Sequence, residues 1–171
     1  MAQAATPILA IEGLRLAYRT RRGLVRAVDD ATLSVGEGQA VGLVGESGSG
    51  KSSLARAALG LLPDGVGVID GGRMRLRGQD VTGLDERQWE RLRGHPVAMV
   101  FQDPLSFLNP VMRIGRQIAE SVVRHDPSAP LDARVQELLR LVRLPETAEH
   151  AYPHELSGGM RQRALLAIAL G

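Results

Sequence analysis

Alternating and continuous apolar segments dominate the first hundred residues. Loose alternation of apolar and polar residues predicts strands, as does each of two short unbroken apolar runs, which are typical of strands buried in a parallel sheet. A helix-compatible segment, 52–62, ends at Pro63, and a short polar helix is predicted at 85–93. The arginines of the segment 73–81 are expected to face water from an edge strand. The predicted strands are 8–16, 27–35, 39–44, 73–81 and 97–101.

After residue 102 the pattern changes to a helical period. Segments 111–124 and 132–144 carry apolar residues at helical spacing, and a last helix is predicted at 159–170. Prolines separate these segments, and Ser157 is an N-cap candidate for the last helix. The sequence therefore predicts a mixed α/β half followed by an all-helical half.

Composition narrows the partners and the chemistry. The 171 residues are 44% apolar and 23% charged, which is ordinary for a globular chain. A formal net charge of +2 argues against a nucleic-acid partner, which would need a dense basic surface. The absence of cysteine excludes disulfides, thiolate zinc sites and ligands for iron–sulfur clusters. The longest apolar stretch, 164–170, is far shorter than the roughly 20 residues that span a bilayer.

A glycine-rich loop carries the strongest chemical signal. Residues 45–52 read GESGSGKS and fit the pattern G-x-x-x-x-G-K-[ST] between a predicted buried strand and a predicted helix. In this pattern backbone N–H groups cradle phosphates, Lys51 reaches the β- and γ-phosphates, and the Ser52 hydroxyl binds Mg²⁺. Lys51 is also the only lysine of the chain. The predicted nucleotide contacts here are Gly45, Glu46, Ser47, Gly48, Ser49, Gly50, Lys51, Ser52 and Ser53.

Taken alone, this loop leaves transporters, kinases, GTPases and motors open. The segment 156–160 reads LSGGM and precedes Arg-Gln-Arg. Here the sequence resembles the ATP-binding subunits of ABC transporters, whose signature is LSGGQ or a close variant. Ser157, Gly158 and Gly159 would bare backbone N–H groups at a helix start, a second site for an anion. The resemblance implies that they contact nucleotide held by the loop of another subunit.

Two single residues extend the resemblance. Gln102 follows an apolar run, VAMVFQDP, and looks like the family's Q-loop glutamine, which ligates Mg²⁺ or orients water. Together with Lys51 it is a candidate catalytic residue. Tyr18 resembles the aromatic residue that stacks on adenine. The segments GESGSGKSS, FQDPLSFLNP and AYPHELSGGMRQR are similar to the corresponding segments of the ATPases of dipeptide, oligopeptide and nickel importers. Phe107 departs from the serine usual there, and YRTRRG matches the family's early motif only loosely.

The resemblance implies a fold, cofactors and partners. The fold class is α/β, a P-loop NTPase of the ABC type over 8–171, with an antiparallel β subdomain. A helical subdomain is expected at 103–156, between core segments 8–102 and 157–171. The implied cofactors are ATP and Mg²⁺. The implied partners are a second ATP-binding subunit in a head-to-tail dimer, membrane permease subunits and, indirectly, an extracytoplasmic substrate-binding protein. The implied localisation is the cytoplasmic face of the membrane, where the chain would be a peripheral protein.

The resemblance ends before the family's strand that terminates in Asp-Glu. We therefore expect the chain to lack the acidic Mg²⁺ ligand and the general-base glutamate, to be incomplete at its C-terminus, and not to hydrolyse ATP at a significant rate. Asp103 and Glu155 lack the spacing to replace these groups, and His154 is interpreted as structural. Two alternatives stay open: a non-catalytic nucleotide-binding fragment or pseudo-subunit, and a soluble ABC-type ATPase of DNA repair or chromosome maintenance that is not linked to transport. The second is disfavoured because such ATPases carry a long coiled coil between these two motifs, whereas here a short segment broken by prolines separates Gln102 from Ser157.

Overall fold

The computed structural model describes residues 6–94 and 96–171. The chain divides into two compact units, Met1–Glu90 and Arg91–Gly171. The predicted division into a core and a helical subdomain at 103–156 stays a prediction.

The first unit is built on an antiparallel sheet. Its strands are β1 (Leu9–Thr20), β2 (Gly23–Val35), β3 (Gly67–Leu76) and β4 (Gln79–Asp80), in the order β2-β1-β3-β4. Two helices accompany the sheet, α1 (Lys51–Ala57) and α2 (Glu86–Glu90). The strands predicted at 8–16 and 27–35 are confirmed and are longer than predicted, because β1 and β2 continue to the two-residue turn between Thr20 and Gly23.

A bulge in β1 explains how its apolar residues reach one face. Ile11 and Leu14 are both buried although an odd spacing would place them on opposite faces of a regular strand. Between these positions two residues of β1, Glu12 and Gly13, oppose one residue of β2, Thr32, and Gly13 adopts φ +57°. On β2 a second irregularity includes Asp30, with φ 55°, so that Leu16 pairs with Val28.

The segment 73–81 is a hairpin and not one strand. Leu76 pairs with Gln79 across Arg77 and Gly78, which have φ values of 48° and 83°. Two positive φ values define the type I′ turn that suits a two-residue hairpin. The predicted water-facing side chains hold for Arg73 and Arg77, which are exposed, whereas Arg75 is half-buried against Glu12 at 3.0 Å.

The two predicted buried strands are wrong. Within the described residues, 39–44 and 97–101 belong to no strand, and Val97 forms only an isolated bridge with Arg93. Residues 39–44 are exposed, and Val44 retains 93% of its accessible surface. The physical reason is that an apolar run becomes a buried parallel strand only beside other parallel strands. The sheet that the structure describes is antiparallel and does not include these segments.

The second unit is helical. Its main helices are α3 (Ile114–His125), α4 (Leu131–Leu141) and α5 (Gly158–Leu170), which confirms the three predicted helices with shifted ends. Arg143, with φ 57°, ends the helical path after α4. The buried apolar residues of this unit form one cluster: Leu108, Ile114, Ile118, Val122, Val135, Leu138, Leu139, Val142, Leu144, Ala148, Leu156, Ala164, Leu165 and Ala167.

Among the described residues, no helix combines the length and the apolar character that crossing a membrane requires.

Candidate nucleotide-binding site

The glycine-rich loop passes directly into α1 at Gly50. Gly48 and Gly50 have φ values of +83° and +90°, a region that glycine enters without steric cost. A Cβ atom at Gly50 would lie 2.3 Å from the carbonyl oxygen of Ala27 on β2. The backbone at the start of α1 therefore packs against the β2 backbone at a distance that only glycine allows.

Lys51 folds back over the loop that precedes it. Its Nζ donates to the carbonyl oxygens of Gly45 at 2.7 Å and Glu46 at 2.5 Å, and to Ser49 Oγ at 3.2 Å. An ammonium group has three donors, and three loop oxygens accept from it here. The positive charge is thus held against the backbone of residues 45–49, which suits an anionic ligand.

The first turn of α1 supplies further donors. Leu54 N donates to Gly50 O at 2.8 Å, and the preceding N–H groups at the start of a helix have no intrahelical acceptor. Such groups favour phosphate. Ser52 is exposed at this turn, and Ser53 is half-buried. Glu46, Ser47 and the rest of the loop before Gly50 are exposed.

Tyr18 lies beside this turn. It is half-buried near the end of β1, and its hydroxyl donates to Ser53 Oγ at 3.1 Å. The stacking of its ring on adenine stays a prediction. The link to Ser53 was missed because no sequence pattern reports which helix turn faces a strand 35 residues away.

Gln102 lies in the second unit, at an exposed bend. The next residue, Asp103, accepts from Leu105 N at 3.1 Å and from Ser106 Oγ at 2.6 Å. These bonds, the hydroxyl bond first, lower the pKa of the Asp103 carboxyl from its usual range. Phe107, which stands where the family usually has serine, stacks on Phe101 with ring centroids 4.1 Å apart. The bend that carries Gln102 is therefore closed by a capped turn and an aromatic pair.

Ser157 caps α5, as predicted. Its Oγ accepts from Met160 N at 3.4 Å. Ser157, Gly158 and Gly159 are exposed, and a Cβ atom at either glycine would meet no heavy atom within 4 Å. Contacts within the chain therefore do not require glycine at these two positions.

Two arginines fasten this helix start to the segments around it. Arg161 Nε donates to Pro153 O at 2.7 Å, and an Nη of Arg163 donates to Arg143 O at 2.6 Å. The Glu155 carboxylate accepts from Tyr152 N at 2.7 Å, and Tyr152 stacks on the exposed His154. These contacts position Ser157 and the following glycines. This positioning role of the two arginines was not predicted from the sequence.

The structure brings Tyr18 and the loop 45–53 together in the first unit. Gln102 and the segment 157–159 belong to the second unit, and each is described by its own surroundings. Among the described residues, no group of three or more histidine, aspartate or glutamate side chains is arranged to hold a metal. The metal ligands predicted at Ser52 and Gln102, like the other site assignments, stay predictions.

Comparison with known proteins decides the family. Residues 28–171 match the model of the family described as ABC transporter. The chain belongs to the ABC transporter family. The resemblance noted from the sequence is thereby confirmed, and so is the fold class, since solved ATP-binding cassettes superpose on it.

The relatives of this ABC chain are named for peptide transport. It is 47% identical to a protein of Brucella ovis named as a peptide import ATP-binding protein, over 96% of this chain and 51% of that one. It is 39% identical to a dipeptide transport ATP-binding protein of Lactococcus lactis, over 95% of this chain and 48% of that one. The chain thus spans about half the length of these relatives.

Solved structures agree on the fold. An ATP-binding cassette solved as a dimer with ADP and Pi superposes with a TM-score of 0.82 at 23% identity, covering 95% of this chain and 68% of that one. A cassette of Clostridium perfringens, part of an ABC transporter complex, gives a TM-score of 0.77 at 23% identity, covering 96% and 61%.

Proposed function

We propose that this chain is the ATP-binding part of an ABC importer that takes up peptides. The observation that carries the proposal is the loop 45–50 with the Lys51 ammonium held over it by three oxygens and with α1 starting directly behind. The names of the relatives support peptides as the cargo. The alternatives, a non-catalytic subunit and a soluble ATPase of DNA repair, gain no support from these comparisons.

Lys51 and the start of α1 act together on the phosphate chain. The ammonium would exchange the loop oxygens for β- and γ-phosphate oxygens, and the N–H groups of the first turn would bind phosphate from the other side. Phosphoryl transfer depends on positioning and on charge stabilisation. These residues supply both to the transferred group.

Two of the predicted site residues, one in each unit, also fit Mg²⁺. This ion prefers oxygen ligands and is commonly held by phosphates and a few protein oxygens. The exposed Ser52 hydroxyl is such an oxygen, and the Gln102 amide oxygen is of the same kind. When bound, Mg²⁺ would neutralise phosphate charge.

The signature segment serves a second subunit in this proposal. Ser157, Gly158 and Gly159 are exposed, and the glycines leave open space that an incoming phosphate chain can use. A head-to-tail dimer would place them over nucleotide held by the partner. Permease subunits would contact the surface near Gln102, an extracytoplasmic binding protein would deliver peptide, and the chain would act peripherally at the cytoplasmic face of the membrane.

Titration calorimetry with ATP tests the nucleotide site. Lys51→Ala should abolish measurable binding, because it removes the point charge aimed at the β/γ-phosphates. Lys51→Arg should also bind poorly, since a planar guanidinium is broader than the ammonium that this loop accommodates. The matched control is Arg124→Ala, which removes an exposed cation of α3. Equal affinity of Lys51→Ala and the parent chain would refute the proposal.

A further inference from the structure

The hairpin tip, residues 19–26, joins β1 to β2 and projects from the first unit. Every residue of the hairpin tip is exposed. Thr20 Oγ1 donates to Gly23 O at 2.8 Å and accepts from Arg22 N at 3.2 Å, so a side chain of the turn closes the turn itself. The side chains of the hairpin tip are therefore presented to solvent from an ordered turn.

The hairpin tip carries positive charge that the rest of its unit does not neutralise. Residues 13–28 include five arginines and no acidic residue except at their end, where Asp29 follows. Two of these arginines meet carboxylates of the sheet, Arg15 with Asp29 at 3.9 Å and Arg26 with Asp70 at 2.5 Å. A concentration of unpaired cations attracts an anionic partner. In the part of the chain that the structure describes, three of the five form no ion pair: Arg19, Arg21 and Arg22.

Exposed aliphatic side chains lie among these charges. Leu24 is the cross-strand partner of Arg19, so the two share one face of the sheet, and Leu24 keeps 64% of its surface exposed. On the other side of β1, Arg19 N donates to Val66 O at 2.8 Å, and Val66 is exposed as well. This end of the sheet thus combines guanidinium and aliphatic groups, a composition typical of segments that lie in the interface of an anionic bilayer.

We propose that the hairpin tip binds a bilayer containing acidic phospholipids, with its guanidinium groups at the headgroup phosphates and Leu24 between headgroups and acyl chains. The inference rests on the proposed peripheral location of the chain and not on its nucleotide site. Arginine side chains can reach phosphates while their aliphatic part stays beside apolar groups. Mobile headgroups also suit a projecting turn, because they can surround it from several sides.

Co-sedimentation of the full chain with vesicles tests this inference. The probes are vesicles of phosphatidylcholine alone and vesicles of equal parts phosphatidylcholine and phosphatidylglycerol. The parent chain should bind the acidic vesicles only, and added salt should weaken this binding because it screens exposed charges. Arg21→Ala combined with Arg22→Ala should weaken binding by roughly 30-fold, since each basic residue near an acidic surface contributes roughly 5-fold. Leu24→Ser should weaken binding by roughly 5-fold, because the serine has no apolar group to remove from water.

The matched control is Arg73→Ala combined with Arg87→Ala, which removes the same charge from exposed positions of the same unit and should bind acidic vesicles like the parent chain. Equal losses in this control and in the arginine variant of the hairpin tip would show attraction without a site and would overturn the inference. Unchanged binding in the variants of the hairpin tip would also overturn it.

Two further probes separate the alternatives. Polyglutamate represents an acidic protein segment. Tighter binding to polyglutamate than to acidic vesicles, with no effect of Leu24→Ser on either, would assign the hairpin tip to a protein partner and overturn the inference. ATP titration of the same variants should match the parent chain. A parent chain that binds ATP but not acidic vesicles would refute this inference alone, whereas specific vesicle binding without ATP binding would support it and refute the proposed nucleotide site.

Discussion

The glycines of the loop before α1 and those at the start of α5 are subject to different structural constraints. Gly50 combines a φ of +90° with a backbone carbonyl 2.3 Å from the position of its missing Cβ, so both conformation and space exclude a side chain. Gly48 has a φ of +83° and open space, so conformation alone favours glycine. At Gly158 and Gly159 neither constraint is present within the chain, which leaves an external ligand as the reason under the proposed function.

Alanine substitutions separate these constraints. Gly48→Ala should destabilise the first unit by about 1–2 kcal/mol, the cost of a left-handed conformation. Gly50→Ala should add about 1–3 kcal/mol of overpacking against Ala27 and should abolish ATP binding. Urea unfolding followed by the fluorescence of Trp89, the only tryptophan and a buried residue of the same unit, measures both. Equal destabilisation by the two changes would contradict the role given to the Ala27 contact.

Short polar caps stabilise turns in both units. Asp80, Asp103 and Asp126 each accept a hydrogen bond from a serine or threonine hydroxyl two or three residues later, at 2.6 Å in every case. In each, the hydroxyl bond is the largest cause of a lowered carboxyl pKa. A hydrogen bond that favours the ionised carboxylate stabilises the turn while that form persists.

The cap at Asp103 gives a pH prediction. Because the pKa of Asp103 is lower in the folded chain than in an unfolded one, its stabilising effect is complete above the ordinary aspartate value of about 3.9 and is lost as pH falls through the lowered folded value. The amide proton of Leu105, which Asp103 accepts, should therefore titrate in an NMR series with a midpoint below that value. Asp103→Asn should abolish this titration. A midpoint at or above the ordinary value would contradict the cap.

Arg161 provides a test of the signature segment as an element. Its guanidinium donates to the carbonyl oxygens of Pro153 and His154, so Arg161→Ala should leave those acceptors unpaired and loosen the start of α5. We expect amide hydrogen exchange at residues 158–160 to accelerate by roughly 10-fold, from a loss of about 1–2 kcal/mol in local stability. Gln162→Ala, an exposed neighbour on the same helix, serves as the control. Unchanged exchange would show that the hydrogen bonds of Arg161 do not order this segment.

Which elements could be predicted from the sequence depends on how far apart along the chain the interacting residues lie. The strands around Ile11 and Leu33 and the helices α3 and α4 were predictable because alternation and helical period are local. The glycine loop was predictable because its chemistry is contiguous. The strands at 39–44 and 97–101 were predicted wrongly because an apolar run does not say whether parallel neighbours exist. The bond from Tyr18 to Ser53 depends on the register of a bulged sheet, which no local pattern reports.

At the scale of the whole molecule, two units each bury their own apolar residues. The helical unit is centred on fully buried side chains such as Leu138 and Leu139 of α4. The first unit buries Ile11, Leu14 and Leu16 of β1 together with Trp89. The unfolding of each unit is therefore expected to depend first on its own core.

A cavity in one core tests this separation. Leu138→Ala should destabilise the helical unit by about 2–5 kcal/mol, the usual cost of truncating a fully buried leucine. The unfolding transition followed by helical circular dichroism should shift to a lower urea concentration, while the transition followed by Trp89 fluorescence in the first unit should shift less. Identical shifts by the two probes would show that the units unfold as one.

The Lys51 side chain has a consequence for how this molecule can be cut. A protease specific for lysine has a single peptide bond available in the whole sequence, the one between Lys51 and Ser52. That bond lies in the first turn of α1, and the lysine amine is already held by Gly45, Glu46 and Ser49. Cleavage therefore requires the turn to unwind and the amine to leave the loop. Digestion should yield two fragments at a rate set by opening of this one turn, and a ligand that clamps the turn should protect the chain from cleavage.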